Sequence, residues 1–152
     1  MMRNGFKWLS FGSVSLVYST MIIGVYLSSI HQSLSCPGWP LCPNGFLKAP
    51  EPSYMIEYFH RIFVVITAGT LYVTATFAYV RIKKLRRLTI LAAIVVSIQI
   101  VIGALVIISR LDIRFVSLHL PIGVALFGIT LLTFLLFIRN PPTDALESYE
   151  IK

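Results

Sequence analysis

Four long apolar runs dominate the chain: Leu9–Ile30, Ile62–Val80, Leu88–Ser109 and Leu118–Ile138. Each is close to the roughly 20 residues needed to cross about 30 Å of hydrocarbon at about 1.5 Å per residue. None carries an acidic or basic residue in its interior. Strands of an outer-membrane barrel would be shorter and would alternate apolar with polar positions. The pattern therefore predicts an all-α fold, a polytopic membrane four-helix bundle. It forms a single domain over residues 1–152, with helices at about 9–30, 56–80, 88–109 and 118–138 and a long loop over 31–55.

The polar segments give the orientation. Between the second and third runs stands RIKKLRR, Arg81 to Arg87, basic at five positions and acidic at none. Basic residues beside a span are retained on the cytoplasmic side. This places the N-terminus, with Arg3 and Lys7, inside as well. The 31–55 loop, whose one basic residue is Lys48, then lies outside, as does the short loop Arg110–Ser117. The tail after Arg139 is cytoplasmic, and Pro141–Pro142 stops the last helix. The first run follows a basic start, as a signal peptide would. It is too long for a signal core and no small-residue cleavage site follows, so the reading is a retained first span.

Composition agrees. Of 152 residues, 57% are hydrophobic and only 12% charged, about half the usual charged share of a soluble domain. Mean hydropathy is +0.82. The surface is lipid-facing, and the chain sits in the cell (plasma) membrane as a multi-pass protein. A net charge of +7 would suit nucleic acid. The basic residues instead flank spans, where they meet anionic lipid, so nucleic-acid binding is excluded.

Two of the three histidines carry the candidate chemistry. His60 lies near the start of the second helix in EYFHRIFVV, and His119 near the start of the fourth in VSLHLPIGVALFG. Both helices enter from the outer face, so both imidazoles lie at a similar shallow depth. A lone interfacial histidine would only rest its ring among headgroups. Two at matched depth on co-directional helices point to axial ligation of a haem iron. Ionisable groups within spans are costly and tend to be functional. Gly123, one turn below His119, would leave space for a flat macrocycle. Ala68 and Gly69, and Gly103 and Ala104, suit either such a site or close helix packing.

Glu57 and Arg61 share the helix face of His60. Glu57 could steer its tautomer or handle protons, and Arg61 could pair with a haem propionate. A plain Glu57–Arg61 ion pair is the simpler alternative. The outer loop carries Cys36 and Cys42 in CPGWPLC, on the oxidising side. Pro37, Gly38 and Pro40 favour a turn that brings the thiols together. The pair is either redox-active or a staple for the loop. A zinc site is disfavoured by spacing. His31 is read as a solvated loop residue.

The run CPGWPLCPNG, followed by EYFHRIFVVITAG, closely resembles the haem A synthase family. Gln99 and Gly103 in QIVIGALV and the lone His119 fit the same pattern. The resemblance covers nearly the whole chain and is to the N-terminal four-helix half of that family. It implies an oxidoreductase that oxidises a methyl group of haem O to the formyl group of haem A, with haem b as cofactor. It implies His60 and His119 as axial iron ligands, Glu57 as the carboxylate needed for oxidation, and a Cys36–Cys42 disulfide. It also implies delivery of haem A to terminal oxidases during cytochrome oxidase assembly, with haem O synthase upstream. Usual members have eight helices in two halves, each with a histidine pair. One half gives bis-His ligation to one haem, which predicts a homo-oligomer. Two other readings share the topology. A quinone-linked disulfide oxidoreductase would need a second outer cysteine pair, which the loop Arg110–Ser117 lacks. A non-catalytic di-His haem carrier or electron-transfer protein would need no Glu57 chemistry.

Overall fold

The computed structural model describes residues 2–36, 38–40, 42 and 51–140. Four helices account for most of them: α1 Met2–Ser29, α2 Met55–Arg81, α3 Arg86–Ile108 and α4 Ile113–Arg139. A 3-10 turn, Pro52–Tyr54, leads into α2. No strand occurs among the described residues, and all four helices are long and apolar enough to cross a membrane. Lys48, Pro37 and the tail with Pro141–Pro142 lie outside the described residues.

The apolar runs underestimate the helices. α1 begins seven residues before Leu9, and α4 begins five before Leu118. Hydropathy marks the hydrocarbon-matched part, whereas backbone hydrogen bonding carries a helix into the headgroup layer. At α4 the start is set by Asp112, whose carboxylate accepts from the Arg114 backbone N–H at 2.9 Å, an N-cap.

Each helix packs on its chain neighbours, α1 closes against α4, and the diagonal pairs stand farther apart. The result is a square up-down-up-down bundle with α2 diagonal to α4. Lipid supplies no hydrophobic force between helices, so small residues and hydroxyls hold them. Ala68, Ala75, Ala78, Ala92 and Ala104 are buried. Ser13 pairs with Thr74 at 3.0 Å and Thr20 with Thr67 at 2.9 Å across α1 and α2. Mid-bundle, Val17, Leu71, Val96 and Leu126 pack together. Phe6, Ile82, Leu85 and Phe137 fill the end away from the cysteines.

Both ascending helices end alike. His31 (φ 56°) and Arg110 (φ 55°) take the left-handed conformation after α1 and α3. The bonds His31 N–H to Ser28 O and Gln32 N–H to Leu27 O close α1. Arg110 N–H to Ile107 O and Leu111 N–H to Val106 O close α3 in the same pattern. This is the Schellman cap, which glycine usually completes. His31 is thus a capping residue with an exposed side chain.

Candidate functional site

The two histidines stand on the diagonal helices, near the end that carries the cysteine loop. Each ring packs edge-on against a glycine of the preceding helix. A Cβ on Gly24 would lie 3.0 Å from His60 Cε1 and 3.7 Å from both ring nitrogens. A Cβ on Gly103 would lie 3.1 Å from His119 Cε1 and 3.8 and 3.9 Å from its nitrogens. In both rings Nδ1 is buried without a hydrogen-bond partner. A buried, unpartnered imidazole nitrogen inside a span is costly, and a bound metal would relieve it. Among the described residues no three His, Cys, Asp or Glu side chains converge as a metal site. Two imidazoles therefore suit a metal whose remaining positions a macrocycle fills, and the donor set fits haem.

Gly123 does not open the space expected of it. A Cβ there would meet Gln99 Nε2 at 3.0 Å. The Gln99 amide fills that position and donates to the His119 carbonyl at 2.7 Å. It ties α3 to α4 where Pro121, two residues on, interrupts the α4 backbone ladder. Gln99 Oε1 is buried without a partner. Gly69 meets nothing within 4 Å and is exposed, so none of the described residues packs on it.

Glu57 and Arg61 form the ion pair, and it does more than neutralise charge. Glu57 is 2% exposed, the one buried carboxylate among the described residues. Its Oε1 accepts from Arg61 Nη2 at 2.6 Å. Its Oε2 accepts from the Cys36 backbone N–H at 2.8 Å and from Ser35 Oγ at 3.0 Å. Arg61 Nη1 donates to the Gly38 and Pro40 carbonyls. The pair thus clamps the cysteine loop onto the start of α2. Arg61 Nε stays buried and unpartnered. Cys36 and Cys42 are joined by a disulfide with Cα atoms 5.4 Å apart, buried against Tyr54, Tyr58 and Ile62. Among Glu57, His60 and Arg61, the fold brings Glu57 and Arg61 to the loop and His60 to α1.

Sequence reasoning missed Gly24, and an internal repeat would have found it. At one constant offset, Ser10, Val17, Gly24 and His31 of the α1 strand of sequence align with Thr89, Val96, Gly103 and Arg110. At a second, His60, Gly69 and Thr74 align with His119, Gly128 and Thr133. Gly24 and Gly103 each stand two turns before their left-handed cap. The α1–α2 and α3–α4 hairpins are versions of one unit, each with a histidine ring seated on a glycine of the preceding helix.

The sequence profile of the cytochrome oxidase assembly proteins, COX15-CtaA, matches residues 1–131. The chain is similar to haem A synthase from Macrococcus caseolyticus, 27% identical over 134 residues, covering 84% of this chain and 44% of the relative. It is similar to haem A synthase from Geobacillus thermodenitrificans, 28% identical over 145 residues, covering 89% and 45%. It is also similar to a protohaem IX farnesyltransferase of Halobacterium salinarum, 26% identical over 136 residues, covering 88% and 30%. The chain thus spans less than half the length of these relatives. It belongs to the cytochrome oxidase assembly protein family, COX15-CtaA.

Proposed function

We propose that this chain is a membrane oxidoreductase of haem A formation, in which His60 and His119 hold one haem and a methyl group of haem O is oxidised to a formyl. The observation that carries this is the matched pair of imidazoles on diagonal helices, each with a buried Nδ1 that has no protein partner. Haem supplies iron redox chemistry when bound. The protein's share is binding, orientation and exclusion of water. His60 and His119 would hold the haem, and Arg61, whose Nε is buried without a partner, would pair with a propionate. Glu57 is the carboxylate on which the oxidation depends, and its three accepted bonds favour a positioning role. It fixes the disulfide loop and Arg61 beside the histidine entering from α2.

Haem O is the substrate and haem b the resident cofactor. One histidine pair serves one of them per chain, so activity needs a second copy. The haem A synthases that resemble this chain are about twice its length, which leaves room in each for a second unit of about this size. A protein named for farnesylating protohaem also contains a region like this chain. That supports association with haem O synthase, with terminal oxidase subunits receiving the product. The basic α2–α3 turn, Lys83 and Lys84 with Arg81, Arg86 and Arg87, supports cytoplasmic termini and an extracytoplasmic disulfide loop in the plasma membrane.

The test is production of the chain in a host that makes haem O, followed by extraction and chromatography of its pigments. Haem A beside haem O is the expected result. Haem B alone would replace this reading with that of a haem carrier. No pigment would favour the thiol enzyme.

A further inference from the structure

We infer that Gly24 and Gly103 are positioning residues for the two histidines, paired by the hairpin repeat. The inference rests on the haem-binding reading and adds residues to which that reading gives no role. The imidazole of each histidine lies with Cε1 so close to the glycine that a Cβ there would require the ring to give by a few tenths of an ångström. The approaches match to 0.1 Å in Cε1 distance, 3.0 Å at Gly24 and 3.1 Å at Gly103. The ring nitrogens stand back to 3.7–3.9 Å in both cases. Two such contacts at aligned positions of a repeated hairpin share one purpose. The glycines set how far each ring swings away from its neighbouring helix.

Packing alone does not account for this. A glycine kept for helix approach would bring backbone or small side chains near its missing Cβ. The nearest atoms at Gly24 and Gly103 are instead all imidazole atoms. The aligned pair Gly69 and Gly128 shows the contrast, because nothing lies within 4 Å of either. Each glycine also has a polar companion one turn earlier on its helix. Thr20 bonds Thr67 across to α2, and Gln99 bonds the His119 carbonyl on α4. These bonds fix the separation of the two helices at the ring, so a methyl group has to be accommodated by the ring itself. Turning a half-buried imidazole off its rotamer by some 30° has a modest cost. It would also misaim the nitrogen that would meet the iron.

The experiment compares Gly24→Ala and Gly103→Ala with Gly69→Ala and Gly128→Ala, each purified from a haem-producing host. Haem per chain and the low-spin to high-spin ratio are read by optical and electron paramagnetic resonance spectroscopy. The first two variants should retain haem roughly two- to ten-fold less tightly, with a new high-spin component. The second two should match the unsubstituted chain. Gly24→Ala is then combined with His60→Ala. If the methyl acts through the ring, adding it to His60→Ala changes nothing further. Should Gly24→Ala fail to accumulate, recovery in the Gly24→Ala/His60→Ala protein supports the inference, and failure of both overturns it. Unchanged spectra in Gly24→Ala and Gly103→Ala would also overturn it. A haem-free unsubstituted chain would instead overturn the haem-binding reading.

Discussion

Replacing Glu57 with Gln should release the disulfide loop. Glu57 accepts three hydrogen bonds, from Arg61, the Cys36 N–H and Ser35. A glutamine has one carbonyl oxygen, so its amide N–H₂ must face either Arg61 or the Cys36 N–H, donor against donor. The Arg61 charge, 12% exposed at the side chain, would lose its counter-ion. Breaking a buried ion pair by removing one partner costs about 3–5 kcal/mol. Residual exposure of Arg61 argues for the lower end, about 3 kcal/mol, assigned to loop opening rather than to the bundle. Both sulfurs are sequestered, with Cys36 2% and Cys42 4% exposed. A dithiol therefore reaches them only through that opening. At about 1.4 kcal/mol per tenfold, reduction should be about 100-fold faster in Glu57→Gln. The assay is reduction by dithiothreitol in lipid nanodiscs, quenched with a thiol-alkylating reagent of resolvable mass. A rate within about two-fold of the unsubstituted protein, far below that estimate, would refute the clamp.

Gln99→Leu removes the donor to the His119 carbonyl beside Pro121 and should weaken haem retention without loss of helicity, measured by pigment content and circular dichroism. His31→Gly places glycine at a left-handed cap (φ 56°). It should leave bound haem unchanged and raise thermal stability, by about 1 kcal/mol or less, which separates His31 from the ligands. The Arg114 side chain and backbone N–H together hold the Asp112 carboxyl down from its ordinary 3.8 to about 2. A depressed carboxylate contributes stability above its unfolded value and loses it as pH falls through the folded value. The start of α4 should thus keep its cap down to about pH 4 and lose it toward pH 2, read by amide exchange.

The bundle was legible because apolar runs of near-uniform length have one solution in a membrane. The helix ends were not, since Asp112 and the His31 and Arg110 caps depend on backbone conformation and leave no hydropathy trace. His119 stood out as an imidazole at the start of an apolar run and His60 as one just before another. What each ring touches did not, because the contact is with an absent side chain. Gly123 misled for the same reason. Its place one turn below His119 suggested open space, yet the long Gln99 amide reaches in from α3. Glu57 was found by its spacing from His60, but spacing along one helix says nothing of the Cys36 N–H that the loop brings to it. The hairpin repeat was present in the sequence all along, at two different offsets because the two connecting loops differ in length.

The most direct test is haem stoichiometry in the purified chain, with His60→Ala and His119→Ala alongside. Low-spin, six-coordinate haem at one per chain, lost or converted to a high-spin form in either variant, is the expected result. Unchanged haem content and spectrum in both variants, or no haem in the unsubstituted chain, would contradict a site built from these two histidines.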